Sequence, residues 1–95
     1  MSLPVEVEQG TGGFHAIAVD LGVGGMFVEA SATPAFGVKI VIVVELPGAP
    51  RRARLPAIVR WINERGFGVQ FLALGARETH ALSELVASAG REEAD

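Results

Sequence analysis

The chain contains no cysteine. That excludes disulfides, thiolate metal sites and thiol catalysis, and it agrees with a cytoplasmic protein. Long apolar runs are also missing. The longest, Ile40 to Val44, is a strand's worth of residues, far below the ~18 that a transmembrane helix needs, so no membrane insertion is expected. The N-terminus has no basic region followed by an apolar stretch, so no signal peptide is expected. The two histidines, His15 and His80, are far apart and belong to no metal-ligand spacing. Ser31, Ser83 and Ser88 have no base-plus-orienter arrangement nearby. No metal, cofactor or catalytic activity is therefore expected. Positive charge is scarce too: 8 Lys and Arg against 11 Asp and Glu leave a net charge of −3. That balance argues against a dedicated double-stranded nucleic-acid binder, so DNA is not an expected partner.

What is present suits one small β-rich domain. The 95 residues are 49% apolar and include 12 glycines, a globular composition with enough length for one modest core. Leu3, Val5 and Val7 alternate with Pro4, Glu6 and Glu8 as a half-buried strand. Gly10-Thr11-Gly12-Gly13 is a hairpin signal. Phe14 to Val19 and Met26 to Ala30 read as the second and third strands, around a turn at Gly22 to Gly25. Val38 to Leu46 is the clearest strand, with both faces of its middle covered. Pro47-Gly48-Ala49-Pro50 breaks the chain. A fifth strand, Arg52 to Asn63, carries Ala53, Leu55, Ala57, Val59 and Trp61 on its apolar face. On this reading Trp61 packs in the core, and Arg52, Arg54 and Arg60 face outward. Phe67, Val69 and Phe71 point inward on a sixth strand after the Glu64-Arg65-Gly66 turn.

The tail changes period. Leu82, Leu85, Val86 and Ala89 fall on one face of a helix, with Gly75 as N-cap, Glu78 in the first turn and Gly90 as the expected stop. These elements predict a mainly β fold: a small six-stranded antiparallel β-barrel with a C-terminal α-helix, one domain over residues 3–90, and a frayed tail over 91–95.

Charge is uneven along this plan. Residues 1–50 hold five acids and one base, Lys39, whereas Arg51, Arg52, Arg54, Arg60 and Arg65 crowd one later segment. The most informative stretch is Asp20-Leu21-Gly22-Val23-Gly24-Gly25. A carboxylate ends an apolar strand, and three glycines follow within four positions. Such glycines serve a tight turn, expected here with positive φ, or allow a ligand close to the backbone. Asp20 can cap the turn's own amides or accept hydrogen bonds from a ligand.

With these residues in view, the chain resembles the PilZ family of small bacterial β-barrels that act as receptors for cyclic di-GMP. That family's main motif is Asp or Asn, any residue, Ser, any two residues, then Gly, matched here at Asp20, Gly22 and Gly25. The later Val59-Arg60-Trp61 strand, the Gly66-Phe67-Gly68-Val69-Gln70-Phe71 strand and the closing helix are also similar. The resemblance implies cyclic di-GMP as a possible ligand, with Asp20 on the guanine N1–H and N2–H₂ donors.

There are two departures from the pattern. The motif serine is Gly22, and no Arg occurs before Arg51, whereas the family carries two Arg separated by three residues just ahead of its first strand. In the family those arginines grip the guanines. Each such contact contributes roughly 1–3 kcal/mol, so losing both weakens binding from about 30-fold to over ten-thousand-fold. The resemblance thus implies a signalling module in which binding is weak or lost, or one whose Arg pair lies upstream of Met1. Arg52, Arg54 or Arg60 are candidate auxiliary anion contacts from a neighbouring strand. The alternative is a ligand-independent adaptor acting through a protein partner in motility, secretion or regulation. Monomer and homodimer both remain open.

Overall fold

The computed structural model describes residues 2–46 and 52–94, with side chains through residue 87. Six strands and one helix follow in chain order: β1 (Leu3–Gln9), β2 (Gly12–Leu21), β3 (Gly25–Glu29), β4 (Lys39–Val44), β5 (Ala53–Asn63), β6 (Gly66–Phe71) and α1 (Ala76–Ala94). All neighbouring pairs are antiparallel, and the sheet closes on itself as a barrel in the order β1-β2-β3-β6-β5-β4. Closure through β1 and β4 removes the exposed edges that so small a sheet would otherwise present. This is the architecture expected from the alternation pattern. The Pro47–Pro50 break, Arg51 and the side chains of Ser88 and Ala89 lie outside the described residues.

The inward positions of the strands form one core. Val7, Val28, Ile42, Val44, Leu55, Val59, Phe67 and Val69 are fully buried, and Phe14 meets Phe67 edge-on with ring centroids 6.3 Å apart. The helix adds Ala81 and Leu82 to this core and rests Leu85 against it. Its first hydrogen bond, Thr79 N–H to Gly75 O at 3.0 Å, makes Gly75 the expected N-cap. The helix continues through Gly90 to Ala94. The expected stop at Gly90 is therefore corrected: a helical glycine costs only about 1 kcal/mol, which does not compel termination.

The outer face of β4 is covered, as its apolar run suggested, and the cover is ionic. Val43 sits in register between Glu6 of β1 and Arg54 of β5. Arg54 crosses above β4 to hold both Glu8 carboxylate oxygens, at 3.1 and 2.6 Å, and Arg52 reaches Glu6 at 3.2 Å. Val43, directly opposite Arg54, is buried. The Arg54 hydrogen bonds lower the Glu8 pKa, and the same contact raises that of Arg54. The pair lies at the surface, so it adds little to stability.

Two irregularities place the candidate site. The β2–β3 register slips between Ala18 and Asp20, and the β5–β6 register slips between Val59 and Trp61. Each slip inserts one extra residue, a β-bulge, and reverses which face the following side chains occupy. Ala16 and Ala18 point into the core, so simple alternation would bury Asp20 beside them. The bulge at Val19 turns Asp20 outward, opposite Phe27, and turns Leu21 inward, opposite Met26. The bulge at Arg60 likewise sets Trp61 opposite Gly68 on the outer face. Trp61 is 49% exposed, so its expected core position is corrected, and the one-residue slip is the reason.

Candidate ligand groove

Combining the registers gives one continuous rung across four strands. Asp20 of β2 pairs with Phe27 of β3, Phe27 with Gly68 of β6, and Gly68 with Trp61 of β5. All four lie on the outer face. Three inter-strand steps separate Asp20 from Trp61, about 14 Å at the usual strand spacing. An open groove of about 780 Å³ lies over this rung, lined also by Gly22, Gly24, Gly25, Asn63, Arg65 and Gln70. That volume is in the range of small-molecule sites.

The glycine motif forms one wall. Gly22 N–H donates to Gly25 O at 2.9 Å, and Gly24 O accepts from Phe71 N–H at 2.8 Å, fastening the turn to itself and to β6. The expectation of positive φ here is corrected. Among the described residues, the left-handed glycines are Gly10, at the first position of the β1–β2 hairpin loop, and Gly37. Gly25 is required by close approach instead: a Cβ there would lie 2.2 Å from the Val69 carbonyl oxygen. Gly22 has ordinary clearance, with Gly25 O 3.9 Å from a would-be Cβ, and Gly24 has open space.

Trp61 forms the other wall. A Cβ on Gly68 would fall within the indole, 1.8 Å from Cε2. The ring therefore lies flat on the Gly68 backbone and shows its opposite face to the groove. Gly68→Ala is expected to lift the indole off the strand. As the single tryptophan, Trp61 reports this directly: its emission shifts to the red, with a smaller loss of stability than when a backbone atom is struck. An unchanged emission maximum would show that the ring does not rest on Gly68.

The structure brings Asp20, Gly22 and Gly25 together in this groove. It does not bring Arg52 or Arg54 there, since both are engaged with β1 carboxylates across β4. Arg60 stands at the margin, its Nε donating to Gln70 Oε1 at 2.9 Å. Arg65, treated in the sequence as part of a turn, lines the groove. Its backbone is held by Asn63, whose Oδ1 accepts from Arg65 N–H at 2.8 Å and Gly66 N–H at 3.2 Å. An Asn two residues before an Arg at a hairpin tip was the available signal.

Comparison with known proteins agrees with this fold. A family model described as "PilZ domain" matches residues 1–88. Among solved structures, the PilZ domain of CeSA from a cellulose-synthesizing bacterium superposes with a TM-score of 0.73 at 21% identity, covering 95% of this chain and 94% of that one. The Bacillus subtilis inhibitor of motility MotI/DgrA superposes with a TM-score of 0.76 at 17% identity, covering 97% of this chain and 48% of that one. At these identities the two structures share the fold. No curated protein sequence matches the chain.

Proposed function

The chain belongs to the PilZ family, a family of cyclic di-GMP receptors and adaptors, and from that premise we propose that it is a cytoplasmic signalling module whose outer groove takes cyclic di-GMP weakly. The observation that carries the reading is the rung from Asp20 to Trp61. It joins a carboxylate, two hydrogen-bond acceptors suited to the guanine donor edge, to an aromatic face suited to a base, over a floor of Phe27 and Gly68. Weakness follows from Gly22, which lacks the motif hydroxyl. The family is one of binding and signalling domains, and the proposed role is recognition without turnover. Among the described residues no helix is long and apolar enough to cross a membrane.

An NMR titration of amide shifts with cyclic di-GMP tests this. The amides of Gly22 to Gly25 and the Trp61 indole N–H are expected to move together, with a dissociation constant on the order of 0.1–1 mM. Asp20→Ala is expected to weaken it about tenfold or more, the usual consequence of losing a charged hydrogen-bond acceptor. Gly22→Ser is expected to strengthen it by about two- to tenfold, because a Cβ there meets only ordinary contact and a neutral hydroxyl contributes about 0.5–1.5 kcal/mol. No shift at several times the upper concentration sinks the receptor reading.

One observation favours the adaptor alternative. Phe36, Trp61 and Ile62 are all exposed, and β5 runs on past its pairing with β4, which ends at Ile58 opposite Lys39. A protein partner would find apolar contacts there. A chain silent to cyclic di-GMP would leave this as the working function.

A further inference from the structure

The groove has an acidic wall and a basic wall, and the glycine motif accounts for the first alone. Among the described residues, Arg65 is the one Lys or Arg lining it. The neighbouring arginines are committed: Arg54 grips Glu8, Arg52 holds Glu6, and Arg60 bonds Gln70. Arg65 makes no ion pair within the described residues and its side chain is exposed. Its backbone, by contrast, is fixed on both sides. Arg65 N–H and Gly66 N–H both donate to Asn63 Oδ1, and Arg65 O accepts from Ala30 N–H at 3.1 Å. An uncommitted guanidinium thus starts from a rigid two-residue turn, and less ordering cost is left for binding.

Building on the dinucleotide reading above, we infer that Arg65 anchors a phosphate of the ligand and that Asn63 positions it. Asp20 offers acceptors and repels anions, so it suits a guanine donor edge and disfavours phosphate. A cyclic guanine dinucleotide carries two phosphate charges that, among the described residues, no other cationic side chain lining the groove meets. The planar Arg fork pairs with phosphate oxygens in a bidentate manner, which Lys reproduces as charge without the geometry. Arg65 thereby supplies, from the β5–β6 turn, an electrostatic grip that the motif wall lacks.

The same NMR titration, run on the full chain, tests the assignment with Arg65→Ala, Arg65→Lys and Asn63→Ala at low and high salt. Arg65→Ala is expected to weaken cyclic di-GMP about tenfold or more at low salt, with the loss shrinking at high salt as the charge contribution is screened. Arg65→Lys recovers part of the affinity. Asn63→Ala weakens binding by less and broadens or shifts the Arg65 and Gly66 amides in the free chain, as expected of a positioning residue. Circular dichroism should show the same fold throughout, because the Arg65 side chain is exposed. Wild-type affinity in Arg65→Ala overturns the inference. So does a loss undiminished at high salt, which would mark a contact to the base. If the chain binds and needs Asp20 but not Arg65, this inference alone fails. If the wild-type chain does not bind, both it and the receptor reading fall.

Discussion

Phe67→Ala is expected to be among the most destabilising single substitutions in the described core. Phe67 has no exposed surface, lies opposite Val28 of β3 and Ile62 of β5, and meets Phe14 edge-on. Truncating a buried Phe costs about 3–5 kcal/mol in transfer and cavity terms, and an aromatic pair adds about 0.5–1.5 kcal/mol. Domains of this size hold about 5–15 kcal/mol in all. The barrel offers little room for collapse, because the cavity walls belong to strands of one closed hydrogen-bonded ring. Urea unfolding measures the effect: with a slope of about 1–2 kcal/mol per molar, the midpoint should fall by about 2 M or more, or the chain should be unfolded without denaturant. A midpoint within about 0.5 M of wild type would mean that Phe67 is not the centre of the core.

The second large effect separates two adjacent glycines. Gly25→Ala drives a Cβ to 2.2 Å from Val69 O and 3.4 Å from Gln70 Cα, both backbone atoms of β6. No side-chain rotation relieves this, so β3 must move off β6, at an expected cost of about 2–3 kcal/mol or more. Gly24→Ala meets nothing within 4 Å, and Gly24 is not in the left-handed region. It should be neutral, or gain up to about 1 kcal/mol by restricting the unfolded chain. Since about 1 kcal/mol moves the melting temperature of a domain this size by 4–8 °C, the two variants should melt at least about 8 °C apart. Equal melting temperatures would show that β3 and β6 are not packed this closely. The contrast bears on function: strand packing by itself demands the motif glycine at position 25. Its presence is explained without a ligand, and the proposed recognition rests on Asp20, Trp61 and Arg65 instead.

The strands were legible because the apolar residues alternate wherever the barrel is regular. Val5 and Val7, Ile40 to Leu46, and Phe67 to Phe71 each declare an inner face, and those faces are the observed core. The helix declared itself by its change of period. Closure of the barrel was inferred from size and from the cost of bare edges. The helix end was misplaced because a glycine permits termination without forcing it. The Asp20 motif pointed to the family, to which the chain belongs.

The two bulges were of unequal visibility, and the difference is physical. Ala16 and Ala18 face inward, so unbroken alternation would carry the Asp20 carboxylate into an apolar core, and a buried unpaired charge is too costly to stand. That conflict is a signal in the sequence itself. Trp61 offered none, because an indole at an inward position violates no rule. Nor did any local pattern show that Gly68 lies opposite it, or that Arg65 and Asp20 share a groove. By itself the sequence determined the strands, the helix, the inner faces and the acid-glycine motif, since each depends on neighbours within a few positions. The tertiary structure alone decided the groove, because its rung is assembled from four strands whose relative register depends on two one-residue slips.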